Sequence, residues 1–151
     1  TLSRINEALA VMEKSGFDGD IDFLSRETLV NHFDIAIRFI DRHRRDLNLI
    51  LFRSTGSSLQ DFKEQFINRY SEIFVNQLRH LEKSGSRLNT QISRFFIHNL
   101  CSLYTNIVVE IVMHDISLEK MKEYSQEFFT FVYNGQRALV GYTDGDPLEL
   151  E

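Results

Sequence analysis

Histidine, cysteine and acidic side chains could support metal binding or acid–base catalysis, but they are scattered along this 151-residue sequence. The histidines do not occur in Glu-x-x-His pairs, the spacing that supplies di-metal ligands in helical bundles. Glu110 and His114 lie four residues apart and could share a metal ion, but one such pair is common by chance. No glycine-rich phosphate loop and no Gly-x-Ser-x-Gly elbow occurs. We therefore expect no enzymatic activity, no cofactor and no bound metal.

A basic run, Arg-His-Arg-Arg at residues 42–45, could hold phosphate groups, because clustered cations attract them. Asp41 and Asp46 flank the run, and two of its arginines share one side of a predicted helix with Arg38. The chain has a formal net charge of -5, the wrong sign for a protein that grips a nucleic-acid backbone by itself. We interpret the run as a solvated helix face and expect no direct contact with DNA.

The elements that would position these side chains are long helices. Pro147 is the only proline, and the glycines lie mostly between segments whose apolar residues recur at helical spacing. We predict an all-α fold, an antiparallel bundle of about five helices within a single regulatory domain at residues 1–141. The predicted segments cover residues 2–14, 25–53, 58–83, 88–114 and 117–141. We expect residues 142–151, which end in Leu-Glu-Leu-Glu, to be a flexible tail that includes a tag scar.

The stretch EFFTFVYNGQRALVG at residues 127–141 fits either an apolar helix or two strands around an Asn-Gly turn. At about 100° per residue its apolar side chains share one arc with Met121 and Tyr124, and its charged ones fall opposite, which indicates a helix. The arc is wide, and Gly135, which in mid-helix costs about 1 kcal/mol relative to alanine, indicates the close approach of another helix. The helix is either fully internal or part of a self-association face, and we favour the second.

Cysteine content and hydropathy indicate a soluble cytoplasmic protein. Cys101 is the single cysteine, so the chain has no internal disulfide and suits a reducing compartment. No stretch of about 18 uninterrupted apolar residues occurs, and we expect no membrane span. The sequence starts at Thr1 rather than at a methionine, and we expect it to be a fragment with more sequence upstream.

The order and length of these segments are similar to those of a known family. Over residues 28–141 the chain resembles the C-terminal regulatory domain of TetR-type transcriptional repressors. The stretches that carry the resemblance are FDIAIRFIDRHRRDLNLILFRSTGSSLQDFKEQF at residues 33–66, HDISLEKM at 114–121, FFTF at 128–131, Gly135, and LVG at 139–141.

The resemblance implies a homodimer in which the last two long helices of each chain form a four-helix bundle. It also implies that a helix-turn-helix DNA-binding domain precedes this region, with residues 1–15 as the connecting helix. The ligand implied is a small apolar or amphipathic effector held among the first three long helices, in the kind of apolar pocket with few polar groups that such ligands require.

Candidate site residues follow from these expectations. The candidates for effector contact are Phe33, Ile40, Arg44, Phe66, Tyr70, Gln77, Asn99 and Leu103. The candidates for the dimer interface are Tyr104, Val108, Tyr124, Phe128, Phe131, Gly135 and Leu139. The polar effector candidates also have simpler interpretations: Tyr70 could bury its ring and hydrate its hydroxyl, Arg44 could extend to solvent, and Asn99 could face water.

The function that the resemblance implies is effector sensing and dimerisation for a TetR-like repressor. A bound effector would favour one arrangement of the helices and thereby weaken DNA binding by the N-terminal domain. The alternative is a helical module that docks another protein through its apolar helices and binds no small molecule.

Overall fold

The computed structural model describes residues 3–7, 10, 25–53, 61–85 and 87–141. Four long helices lie within these ranges: α1 (Arg26–Phe52), α2 (Phe62–Lys83), α3 (Arg94–Met113) and α4 (Leu118–Val140). Residues 3–7 and 10 are also helical and give a fifth helical segment. The predicted all-α bundle is confirmed. The predicted start of the second long helix near Ser58, most of the segment at residues 2–14, and the tail at 142–151 lie outside the described residues.

Serine side chains begin three of the four long helices. Ser25, Ser93 and Ser117 each accept a hydrogen bond from the backbone N–H three residues later, at 3.1, 3.1 and 3.2 Å. Such caps satisfy backbone groups that have no partner within the helix. The predicted start of α3 at Leu88 is wrong, because residues 88–93 are not helical and Ser93 sets the first turn.

The stretch at residues 127–141 is helical, as predicted, and ends at Gly141. This glycine has φ 75°, in the left-handed region, and its N–H donates to the carbonyl of Ala138 at 3.1 Å. The alternative of two strands around an Asn-Gly turn is therefore excluded. Glycine is favoured at this position because a Cβ in the left-handed region meets the following carbonyl oxygen.

Replacing Gly141 tests this helix end. We expect Gly141→Ala to lower the free energy of unfolding by about 1 kcal/mol, since alanine is strained in the left-handed region. Gly141→Asn is the matched control, and its loss should be smaller because asparagine tolerates that conformation better. Urea denaturation followed by circular dichroism measures both. Equal losses for the two variants would contradict a left-handed helix end.

The helices pack in an arrangement centred on α1. Helix α1 contacts α4, α3 and α2, and α2 also packs along α3. The segment that leads into α3 lies beside the end of α4, because the N–H of Asn89 donates to the carbonyl of Val140 at 2.8 Å. Consecutive helices α3 and α4 are therefore antiparallel, joined by the short turn at residues 114–117.

The core consists of two clusters of buried side chains. The first comprises Ile5, Ile37, Ile40, Leu47, Ile50, Phe62, Val112 and Met121. The second comprises Ile67, Val75, Leu78, Ile97, Cys101 and Val140. Ile5, which belongs to the N-terminal helical segment, is fully buried in the first cluster. The N-terminal segment is thus packed onto the bundle through its apolar side.

Candidate functional site

A cavity of about 520 Å³ lies inside the bundle and borders both core clusters. All four long helices contribute to its wall, and Ile5 of the N-terminal segment contributes as well. Most lining side chains are aliphatic or aromatic, and a small number carry polar groups. A cavity of this size and composition is typical of a site for a small organic molecule.

Five of the eight residues predicted to contact an effector line this cavity: Phe33, Ile40, Phe66, Tyr70 and Gln77. They come from α1 and α2, the first two long helices. The rings of Phe66 and Tyr70 lie 4.5 Å apart, so two of these residues form one aromatic section of the wall.

The other three predicted effector residues, Arg44, Asn99 and Leu103, lie outside the wall of this cavity. Arg44 extends to the turn between α3 and α4, where it donates to the carbonyl of Ile116 at 2.6 Å and pairs with Asp115 at 3.0 Å. Asn99 is exposed and donates to the carbonyl of Phe95 in its own helix. Leu103 is 41% exposed on the outer side of α3.

Four of the predicted interface residues line the cavity: Tyr104, Val108, Tyr124 and Phe128. The apolar arcs of α3 and α4 extend around both the inner and the outer side of each helix, and the inner part of each arc faces the cavity. Helical periodicity places side chains around one helix axis but does not fix which neighbour each will meet. Tyr124, Phe131 and Gly135 remain exposed, and Leu139 is half-buried.

Aromatic contacts connect three helices at the cavity wall. The ring of Phe128 on α4 lies 5.6 Å from Phe33 on α1 and 5.6 Å, edge-on, from Tyr104 on α3. Aromatic pairs in such geometry contribute about 0.5–1.5 kcal/mol beyond their buried area. A ligand that displaces one of these rings would therefore alter the packing of α1, α3 and α4 together.

The sequence analysis missed the main polar contact of the cavity. Gln136 on α4 is only 8% exposed, and its Nε2 donates to the hydroxyl of Tyr104 on α3 at 2.8 Å. Its Oε1 is buried without a hydrogen-bond partner. The signal was present in the sequence, because Gln136 lies four residues after Val132 and four before Val140, both buried.

Burial shifts the pKa values of three ionisable groups at the cavity wall in the direction that favours their uncharged forms. It lowers the pKa of His32 and raises the pKa values of Tyr104 and Cys101, in each case by penalising the charged form. Two charged lining residues, Lys63 and Glu110, have exposed side chains and therefore reach solvent. The interior of the cavity presents neutral polar groups, and the charges lie at its edge.

His32 makes stability depend on pH. Its pKa is lowered on folding, so the unfolded chain binds a proton more readily between that pKa and the ordinary value near 6.5. We expect the His32 contribution to the free energy of unfolding to be constant above about pH 7 and to fall as the pH drops below about 6.5. Urea denaturation at pH 7.5 and 5.5 measures the loss, and His32→Leu should reduce it. An unchanged loss in that variant would contradict the assignment to His32.

The outer apolar face, as we define it, comprises Phe96 and Leu103 of α3 and Phe131 and Gly135 of α4. Phe131 is 67% exposed and Leu103 41%. Leu103 is the sequence neighbour of Tyr104, and Phe131 lies one turn from Phe128, the two residues whose rings join α3 to α4. A Cβ built on Gly135 would meet nothing within 4 Å, so no other helix of this chain approaches it closely.

Helix α3 has more apolar surface than the other described parts of the chain cover. By length and composition it is the one helix among those described that could cross a membrane. Its most apolar 18-residue window has a mean hydropathy of 1.4, and only 22% of that window is buried. The same values occur in core helices of soluble proteins, so they do not establish a membrane span. The helix also carries Asn99, Asn106 and Glu110, whose polar groups are costly in lipid.

Within the described ranges, no three histidine, cysteine or acidic side chains come together as a metal site. His114 Nε2 and Glu110 Oε2 lie 3.2 Å apart at the C-terminal end of α3. Comparison of the chain with protein-family models, curated proteins and solved structures gives no match. The cavity and the outer apolar face are therefore the features from which a function must be argued.

Proposed function

We propose that the chain is the effector-sensing and dimerisation domain of a soluble, cytoplasmic, TetR-like transcriptional repressor. DNA binding would belong to a helix-turn-helix domain outside this sequence. One observation carries the proposal: α3 and α4 line a cavity on their inner side and expose an apolar face on their outer side. The same two helices can therefore respond to a ligand and transmit the response to a second subunit.

The cavity supports the ligand-sensing part of the proposal. Native cores are packed with few voids larger than a water molecule, and this cavity of about 520 Å³, which is partly open to solvent, is far larger. Leaving it empty would be costly, since unfilled apolar volume destabilises a fold. A small, mostly apolar molecule of suitable size would recover those contacts, which explains why the cavity is lined as it is.

The outer apolar face supports the dimerisation part, with a second copy of this chain as the partner. Exposed aromatic side chains on both α3 and α4 favour burial against another surface. A two-fold interface requires one self-complementary patch, and two antiparallel helices from each chain supply a four-helix arrangement. Gly135 allows a partner helix to approach the backbone of α4, because its surroundings within the chain are open.

The N-terminal segment supplies a route from the cavity to an upstream domain. Ile5 lines the cavity and is fully buried, and Arg4 lies 4.0 Å from Asp46 of α1. A ligand that displaces Ile5 or the neighbouring part of α1 would shift this segment. In a dimer, that shift would change the spacing of two DNA-binding domains and so their joint affinity for an operator.

Titration with Nile red, an uncharged apolar dye that fluoresces in apolar surroundings, tests the ligand-sensing claim. We expect saturable enhancement with one dye per chain. A fluorophore on an Arg4→Cys variant, whose label lies on an exposed position, should change its emission as the dye binds. The matched control carries the label at Arg79→Cys, an exposed position on α2 outside the cavity wall. Absence of saturable dye binding would contradict the proposed function.

A monomeric chain that binds no dye would favour the other candidate, a helical module that docks a different protein. The outer apolar face is the feature that supports this candidate, since such a face fits a partner of another sequence as well. The cavity favours effector sensing over it, because a docking module has no need of an internal void.

A further inference from the structure

We infer that the cavity binds an uncharged amphiphile ending in an alcohol, and that Gln136 and Tyr104 hold the hydroxyl of this ligand. The inference rests on the proposed function, since it names the class of ligand for the same cavity. It is carried by one buried polar pair on an otherwise apolar wall.

The pair has hydrogen-bonding capacity left over. Gln136 Nε2 donates to the hydroxyl oxygen of Tyr104, while Gln136 Oε1 is buried and accepts nothing. Leaving a buried acceptor without a donor is costly, so a ligand that donates to Oε1 recovers that loss. Because Tyr104 accepts from Gln136, its own O–H is available to donate to the same ligand.

Rotation of the Gln136 amide by half a turn leads to the same conclusion. Tyr104 would then donate to Oε1, and Nε2 would be the amide atom left to bind a ligand. In the first orientation the ligand must donate to the amide, and in the second it must accept. A hydroxyl group satisfies both, because one oxygen atom is donor and acceptor at once.

Charge excludes the common alternatives. In the first amide orientation a carboxylate has no proton to donate to Oε1, and the basic lining residue Lys63, which could pair with it, is exposed at the edge of the cavity. An ammonium group would need an anion, yet the acidic lining residue Glu110 is also exposed and lies beside His114. Neutral Tyr104, Gln136 and Thr105 surround the polar end, and Thr105 already donates to the carbonyl of Cys101 at 2.8 Å. A charged ligand would lose its hydration without gaining a partner.

The remaining wall suits an apolar body. Phe128 and Phe33 lie beside the polar pair, and apolar side chains of α1 and α2 continue the wall away from it. At about 30 Å³ per water molecule, a volume of 520 Å³ corresponds to about 17 waters and so to a ligand of roughly fifteen to twenty non-hydrogen atoms. The ligand is therefore larger than a simple solvent alcohol and smaller than a membrane lipid.

Competition with Nile red by three matched compounds tests the inference. Octan-1-ol, 1-methoxyheptane and octanoate have similar length but differ at the polar end. The alcohol donates and accepts hydrogen bonds, the ether only accepts them, and the carboxylate is charged. At pH 7.5 we expect octan-1-ol to bind about fivefold to tenfold more tightly than the ether, the effect of one satisfied hydrogen bond. We expect octanoate to bind at least about tenfold more weakly than the alcohol.

Variants identify the residues responsible for the preference. Gln136→Leu should reduce the ratio of ether to alcohol dissociation constants to about one, because it removes the acceptor Oε1, and Tyr104→Phe should weaken the binding of both compounds, because it removes a hydroxyl that donates to either oxygen. Gln126→Leu, at an exposed position of α4, should leave the ratio unchanged. If Gln136→Leu or Tyr104→Phe fails to fold, the other variant and the ratio of dissociation constants of the wild-type chain still test the inference.

The outcomes separate this inference from the proposed function. Equal binding of alcohol and ether by the wild-type chain, or tighter binding of octanoate, would overturn the inference and leave the apolar effector site in place. If none of the three compounds displaces the dye and the dye itself does not saturate, the proposed function is overturned and the inference with it.

Discussion

Phe131→Glu is expected to convert the chain from a particle of about twice 17.7 kDa into one of 17.7 kDa. Phe131 is 67% exposed in the single chain, so a charge at this position costs little there. In a two-fold interface the two glutamates would be buried close to each other and to apolar side chains. Burial of unpaired like charges costs several kcal/mol, enough to separate the subunits at micromolar concentration.

Thr130→Glu is the matched control for this change. It adds the same charge one residue earlier, on the solvent side of α4, where Thr130 is exposed and bonds to the carbonyl of Gln126 in its own helix. This variant should keep the mass of the wild-type chain. Light scattering after size exclusion gives the masses, and circular dichroism verifies that both variants are helical. A Phe131→Glu protein that keeps the doubled mass would place the interface elsewhere.

Ala36→Phe is expected to weaken Nile red binding at least about tenfold, a change of about 1.4 kcal/mol in binding free energy. Ala36 lies on α1 at the cavity wall, and a phenyl group there would occupy space that the dye needs. Because the void has room for the added ring, we expect the free energy of unfolding to stay equal or rise. Overpacking of a filled core would instead cost about 1–3 kcal/mol.

Val30→Phe is the matched control for the cavity. Val30 is on the same helix and 43% exposed, so the added ring lies outside the cavity wall and dye affinity should not change. Fluorescence titration and urea denaturation of both variants give the two quantities. Tight dye binding by Ala36→Phe would show that the dye binds at another surface, with the outer apolar face as the first alternative.

The helices could be predicted from the sequence because local signals define them. Ser25 and Ser117 precede apolar residues at helical spacing, and both are helix caps. The start of α3 could not be found in this way, since Leu88 and Ile92 continue the apolar pattern before Ser93. Both are half-buried next to the second core cluster without being helical, so their burial comes from tertiary contact.

The candidate site was harder to predict than the helices. Arg44 falls within the apolar arc of α1, but its partners Asp115 and Ile116 are about seventy residues further along the chain, and no local pattern shows them. The sequence predicts Tyr104 and Phe128 to lie at the dimer interface, because helical periodicity gives the direction of a side chain around its helix and not the neighbour that it meets. Gln136 is not among the predicted site residues, and most other polar residues on the same helix are exposed.

Native mass spectrometry of the wild-type chain with octan-1-ol tests most directly whether α3 and α4 serve a ligand on one side and a second subunit on the other. We predict a species of two chains that binds up to two octan-1-ol molecules, one in each cavity. A single chain with no bound alcohol, under conditions in which it remains helical, would contradict both roles of these helices.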